Sequence, residues 1–401
     1  MGLYVHIPFC ETKCPYCDFN TYEKIEQLIP PYVDALAREI SLWSGLLDRP
    51  IVDTVFFGGG TPSYLPKENI ERLMATIRSG FDVTSSAEVT LEANPGDLTP
   101  GKLEKLRESG INRLSIGVQS LSDRLLKMLG RRHDTEQAID AFEMAVEAGF
   151  QNASLDLMYG LPHQGIGDWN ETLHRAVELG PPHLSVYCLT IEENTPMAQS
   201  VESGSLPSPD PDLAADMYEG AESVMSAAGY GHYEISNWSR PGFESRHNMR
   251  YWRNLPYLGV GPGAHSYLQG HRFANLRSPR TYIERMGEAS SRSGIDSQSG
   301  PMAIKSVPVV EHFEEIGQDL EMSETLMMGL RLDEGIVNQD FADRFGRSLS
   351  EKYGPTIADL DSLGLLDSTG GRIRLTPRGR LLGNEVFGRF VHPADHVEAR
   401  A

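Results

Sequence analysis

Short runs of β-branched and large apolar residues recur along the first half of the chain, each followed by a stretch of helical period. The runs are Leu3–Ile7, Val52–Phe57, Glu88–Glu92, Arg113–Val118, Ser154–Met158 and Leu184–Leu189. Strands alternating with helices predict parallel β/α units. The punctuation agrees. Thr99-Pro100 offers an N-cap and a first-turn proline before Lys102–Glu108, with Gly110 as the stop, and Asp134 with Gln137 predicts a capping box before Ala138–Ala148. Six such units suit a partial barrel or an open doubly wound sheet, and pattern alone does not separate them. In both, ligands gather where the strands end.

The second half reads differently. Ser200–Asp212, rich in Ser and Pro, predicts a surface loop, and Glu288–Pro308, with Ser290, Ser291, Ser293, Ser297 and Ser299, predicts a linker. Beyond it, helical stretches near Ser323–Leu332, Asn338–Phe345 and Glu351–Leu363 precede Leu365-Leu366, a turn at Gly370-Gly371, Ile373–Leu375, and a helix opened by Thr376-Pro377. Helices followed by a small hairpin predict a winged-helix-like unit. The division expected is 1–235 as an α/β core, 236–310 as a middle region with the linker, and 311–401 as the C-terminal domain.

Charge narrows the partners. The formal charge is −20 over 401 residues, and residues 301–401 carry 17 acidic against 11 basic side chains. Phosphate binding relies on clustered Lys and Arg, so nucleic acid is an unsuitable partner even for a winged helix. The chain contains no apolar run of spanning length, and the N-terminus leaves no room for a leader before the first motif. A reducing cytoplasm is the expected location.

Three of the four cysteines fall within eight residues, at Cys10, Cys14 and Cys17. Thiolates are soft donors for iron–sulfur clusters or zinc, and a cubane normally takes one per iron. Three local cysteines leave one iron open to bind something else. Two rivals stand beside this: a redox pair, Cys14 with Cys17, acting in thiol–disulfide exchange, and a zinc knuckle borrowing His6. Cys188 is expected to be a buried strand thiol.

Other chemistry sits near the predicted strand ends. Gly58-Gly59-Gly60-Thr61 follows a strand at once and lets backbone approach a ligand, although a tight turn alone explains it as well. Glu92, Gln119, Arg131 and Asp156 offer carboxylates, an amide and a guanidinium at or near the ends of later strands. His247-Asn248-Met249-Arg250-Tyr251-Trp252 joins an imidazole to two large aromatics, with His265 in Gly261-Pro262-Gly263-Ala264-His265 as a second imidazole. The absence of C-x-x-C-H excludes c-type heme attachment.

These residues carry a resemblance. The C-x-x-x-C-x-x-C run resembles the signature of radical S-adenosylmethionine (SAM) proteins, in which three cysteines hold a [4Fe-4S] cluster and SAM binds the fourth iron. The flanks Leu3–Cys10 and Cys14–Asn20 resemble the oxygen-independent coproporphyrinogen III oxidase group, and His247–Trp252 resembles the H-N-x-x-Y-W motif of its HemW-type heme chaperone branch. The resemblance implies a partial (β/α)6 barrel. It implies SAM contacts from Tyr4, Gly59, Gly60, Thr61, Glu92, Gln119, Arg131 and Asp156, and heme contacts from His247, Asn248, Tyr251 and Trp252. The oxidases carry a further cysteine two residues beyond the motif, where this chain has Phe19. That departure favours a heme carrier delivering to apo-hemoproteins, membrane-associated ones included, over anaerobic decarboxylation of coproporphyrinogen III. Dimerisation is compatible with the branch, but no heptad demonstrates it.

Overall fold

The computed structural model describes residues 1–289 and 301–391. The six expected strands are all present: β1 (Gly2–Ile7), β2 (Ile51–Gly59), β3 (Asp82–Ala93), β4 (Arg113–Gln119), β5 (Asn152–Tyr159) and β6 (His183–Cys188). They lie side by side in chain order, every neighbouring pair parallel. A doubly wound sheet reverses its order at a switch point. This one does not, so the winding is that of a partial barrel.

The expected caps are in place. The Thr99 hydroxyl accepts from the Lys102 N–H, Gly110 takes a φ of +91° after the helix Pro100–Glu108, and Asp134 and Gln137 cap Thr135–Glu147 reciprocally. Helices such as Ile29–Leu46 and Ile166–Glu178 press fully buried Trp43 and Trp169 into a continuous core with Leu3, Val55, Leu91 and Leu155. Apolar area withdrawn in this way is the main stabilising contribution.

Further strands extend the sheet at both edges. Beyond β6 lie β7 (Gly231–Glu234) and β8 (Asn237–Ser239). Beyond β1 lie β9 (Tyr257–Val260), parallel to it, then antiparallel β10 (His265–Leu268), β11 (His271–Asn275) and β12 (Val310–Glu315). Strands β7–β12 therefore continue the same sheet across the boundary expected at 235/236.

Two loop expectations need correction. Within Ser200–Asp212 only residues 203–210 lie outside helices. Thr195 caps Pro196–Glu202 and Asp210 caps Pro211–Ala227, each with proline in the first turn. Of Glu288–Pro308, residues 290–300 lie outside the described residues. Pro301–Lys305 is helical, and Ile304 and Val307 are buried in the main core with Val309, so the segment after 301 is packed.

The C-terminal unit has its own core of Met322, Leu326, Phe341, Tyr353, Leu360 and Phe387. Helices Gln318–Gly329, Asn338–Phe345 and Leu349–Ser362 pack with a small antiparallel sheet of β13 (Ile336–Val337), β14 (Leu366–Asp367) and β15 (Arg372–Leu375). The helix expected near Ser323–Leu332 runs from Gln318 to Gly329, and its start was hidden in the sequence because Gly317, at its N-cap, supplies no side-chain signal. The unit docks on the end of the helix Arg246–Trp252: Asn254 Nδ2 donates to Thr325 Oγ1 (3.0 Å), and the Arg331 guanidinium lies 4.5 Å from the Trp252 ring centre. Among the described residues no helix is long and apolar enough to cross a membrane.

Candidate functional site

The loop after β1 carries Cys10, Cys14 and Cys17, all with free thiols. Its backbone is fixed from two sides. The Cys10 N–H donates to Tyr22 O (3.0 Å), and the next loop zips onto it through Gly60 N–H to Ile7 O (2.7 Å) and Thr61 N–H to Phe9 O (2.8 Å). A Cβ on Gly60 would lie 2.7 Å from Phe9 O and one on Gly59 2.5 Å from His6 Cε1. The glycines thus serve close packing against the cysteine loop as well as an open wall. The Thr61 hydroxyl donates to Cys10 Sγ (3.3 Å), and burial pushes the Cys10 and Cys17 thiols up.

The three cysteines face a cavity of about 590 Å³ at the C-terminal ends of the parallel strands. Every residue the resemblance assigned to SAM lines it: Tyr4, Gly59, Gly60, Thr61, Glu92, Gln119, Arg131 and Asp156. Their backing is specific. Glu92 Oε2 accepts from Gly59 N–H (3.2 Å), and burial, reinforced by the Asp156 charge, pushes its carboxyl up to about 8. Asp156 accepts from Ser115 Oγ (2.8 Å) and Ser154 Oγ (3.0 Å). Arg131 donates to Gly117 O (2.7 Å) and reaches Cys14 Sγ (3.5 Å), while its buried Nε has no partner. Gln119 ends β4 at a φ of +68°, a strained backbone of the kind found at ligand sites.

The heme motif divides. Asn248 and Tyr251, three apart on the helix Arg246–Trp252, line this cavity. His247 and Trp252 do not line it. His247 is 0% exposed; Nδ1 bonds Thr54 Oγ1 (2.9 Å), Nε2 bonds the Tyr251 hydroxyl (2.8 Å), and the ring stacks on Phe56. Burial and the Arg250 charge hold its pKa down at about 3. With both nitrogens engaged, His247 positions Tyr251. Trp252 anchors the C-terminal unit through Arg331.

Cys188, expected to be buried, is exposed and lines the cavity, because β6 emerges there after Val186. The redox-pair and zinc readings find little footing. Cys14–Cys17 forms a turn, with Cys17 N–H on Cys14 O (3.1 Å), and opens no helix. Both His6 nitrogens are engaged, by Tyr4 OH (3.0 Å) and Asn20 O (2.9 Å), and no described group of three His, Cys, Asp or Glu could hold one ion. A polynuclear cluster takes one thiolate per iron and needs no such grouping. Sequence reasoning missed the polar layer below Asp156, formed by Arg113, Ser115, His183 and Ser185. The available signal was polar residues inside otherwise apolar strands.

Comparison with known proteins agrees with this geometry. Residues 4–176 match the radical SAM superfamily and residues 318–382 the HemN C-terminal domain. The chain is 39% identical to the heme chaperone HemW of Bacillus subtilis, over 97% of this chain and 98% of that one. It is 38% identical to the Mycobacterium tuberculosis HemW, over 96% and 93%. The structure of coproporphyrinogen III oxidase (HemN) from Escherichia coli, described as a radical SAM enzyme, superimposes with a TM-score of 0.82 at 26% identity, covering 97% of this chain and 89% of that one. The radical SAM fold implies a [4Fe-4S] cluster and SAM. The residues present fit both: three free thiols on one loop, and the unpartnered buried Arg131 Nε beside Cys14 for a carboxylate. The chain belongs to the HemW family of heme chaperones, within the radical SAM superfamily.

Proposed function

We propose that the protein binds heme and hands it to apo-hemoproteins, with a [4Fe-4S] cluster on Cys10, Cys14 and Cys17 and SAM in the adjoining cavity. The observation that carries this reading is the likeness, across nearly the full length of both chains, to proteins named heme chaperones. Phe19, standing where the resembling oxidases have a further cysteine, points the same way. In this scheme Tyr4, Gly59, Gly60, Thr61, Glu92, Gln119, Arg131 and Asp156 hold SAM, Arg131 forking onto its carboxylate and Glu92 or Asp156 taking a hydroxyl or the amino group. SAM supplies the ligand to the iron that lacks a cysteine. A reducing cytoplasm suits these free thiols.

An anaerobic heme titration of the cluster-loaded protein, followed in the Soret region, tests the proposal. Saturation near one heme per chain supports it; the absence of specific binding sinks it. The likeness to the oxidase structure favours one second reading, decarboxylation of coproporphyrinogen III. Anaerobic product formation with SAM and a reductant would establish that instead. Delivery to membrane-bound recipients and homodimerisation are finer parts of the proposal, tested by co-sedimentation with recipient-bearing vesicles and by sedimentation equilibrium.

A further inference from the structure

We infer that a second cavity, between the cysteine loop and strands β10–β12, is the tetrapyrrole site, with His265 as the iron ligand and Arg277 as the partner of a propionate. The inference rests on the heme-carrier reading and gives it a place in the molecule.

The cavity measures about 570 Å³ and is bounded by Tyr4, Phe19, Tyr251, Tyr257, His265 and Arg277. It adjoins the cluster cavity, sharing Tyr4, Phe19, Glu92 and Tyr251 with it. Its chemistry suits a flat, largely apolar molecule that carries a metal and two carboxylates. Aromatic faces line it, and Phe19, 63% exposed, presents an uncovered ring on the wall shared by the two cavities.

His265 differs from the other imidazoles nearby. Of the imidazoles on this cavity, His6 has both nitrogens engaged and His312 Nε2 lies 3.9 Å from Glu311 Oε2, whereas no hydrogen bond or ion pair to a described residue reaches the ring of His265, which is exposed between buried Ala264 and Ser266. Although the residue is exposed overall, partial burial of its ring and then the neighbouring Arg272, His312 and Arg277 lower its pKa, which favours the neutral imidazole that binds iron. Its placement also leaves room. His265 pairs with Ala274 across β10 and β11, and Ala274 pairs with His312 across β11 and β12. Residues paired across strands share a face, so the two histidines flank a single methyl group in a slot about two strand spacings wide, roughly 10 Å.

Arg277 supplies the counter-charge. Its carbonyl accepts from Asn20 and Tyr22 of the cysteine loop, while its guanidinium makes no ion pair with any described residue. An unpaired guanidinium on the wall of a ligand cavity is suited to a carboxylate. The same bonds tie the cysteine loop to this cavity: Asn20 Nδ2 donates to Pro262 O (2.9 Å) and Arg277 O (3.0 Å).

The test is anaerobic heme titration of cluster-loaded wild type, His265→Ala and Arg277→Ala, reading Soret position, ferric spin state by electron paramagnetic resonance, and affinity. Both side chains are exposed, so thermal midpoint and cluster absorbance should match wild type and show that the variants are folded. The inference expects His265→Ala to change the Soret position and spin state and to lose at least tenfold in affinity, and Arg277→Ala to lose several-fold with the ligation spectrum unchanged. Wild type binding one heme while His265→Ala keeps the same spectrum and affinity would overturn the site and leave the carrier function standing. No heme bound by wild type would overturn both.

Discussion

The two cavities share a wall yet are built on opposite plans. On the cluster side, polar groups are braced by neighbours: Glu92 by Gly59 N–H, Asp156 by Ser115 and Ser154, Arg131 by Gly117 O. Glu92 and Asp156 sit on parallel strands whose hydrogen bonds run through the sheet, while Arg131, expected near a strand end, lies in the loop after the helix Asp123–Met128. On the other side, His265 on β10 and Arg277 in the loop after β11 have no hydrogen-bonded or ion-paired side-chain partners among the described residues. Braced groups favour a resident ligand held in one geometry, because the ordering cost is met on folding. Exposed, unpaired groups suit a ligand that must arrive and leave. On the proposed reading, the molecule keeps a braced pocket for a cofactor beside a less braced one for cargo.

The largest expected effect tests the first cavity. Cys14→Ser should abolish the cluster, seen as loss of broad visible absorbance and of bound iron and sulfide; a variant retaining its full iron and sulfide refutes the cluster assignment. Next comes the framework of the second cavity. Buried Glu39 accepts from Gly261 N–H (2.8 Å), Asn275 Nδ2 (2.7 Å) and the Tyr282 hydroxyl, fixing the loop before His265 and the end of β11. Glu39→Ala leaves these donors buried without an acceptor and should cost about 3 kcal/mol or more in denaturant unfolding. A cost below about 1 kcal/mol would mean water replaces the carboxylate and the bracing is incidental.

The third effect is a pH dependence set by His247. Its folded pKa, about 3, lies below the unfolded value, so between the two the unfolded chain binds the extra proton. Stability is complete above the unfolded value near 6.5 and falls as pH drops toward 3, by about 2 kcal/mol between pH 7 and 5 from this residue. Urea midpoints of wild type and His247→Gln at both pH values check this, the variant showing the shallower dependence. Were His247 instead an iron ligand, its replacement would change the Soret band of the heme-loaded protein. The smallest effect separates the pockets: Asp156→Asn, on the cluster cavity and not on the second one, should weaken SAM binding about tenfold, or ~1.4 kcal/mol, with heme affinity unchanged, and Arg277→Ala should weaken heme several-fold with SAM binding unchanged. Equal losses of both ligands in both variants would merge the two cavities into one site.

What could be read from the sequence follows the same divide. Strands β1–β6 announced themselves because parallel strands buried on both faces are nearly continuous apolar runs. β3 was begun six residues late, the others by two at most, since Asp82–Ser86 is polar apart from Val83 and none of it is fully buried. The SAM wall was legible because strand ends collect ligands and polar residues stand out there. Strands β10–β12 were not: they are four to six residues long, and β12, Val310–Glu315, carries three glutamates. The H-N-x-x-Y-W run was visible, but which way His247 faces depends on Thr54 and Phe56 on β2, about 190 residues away in sequence. That is tertiary information. Phe19 showed as a departure from a motif, and its position on the wall between two cavities became visible only with the fold.

The most direct test of the carrier function is heme transfer. The cluster-loaded protein is given one heme, freed of excess, and mixed anaerobically with increasing amounts of an apo-hemoprotein, while the Soret bands of donor and recipient are followed together. The account predicts that heme appears on the recipient as it leaves the donor, at a rate that rises with recipient concentration. Heme retained by the donor, or released at one rate whatever the recipient concentration, would contradict it.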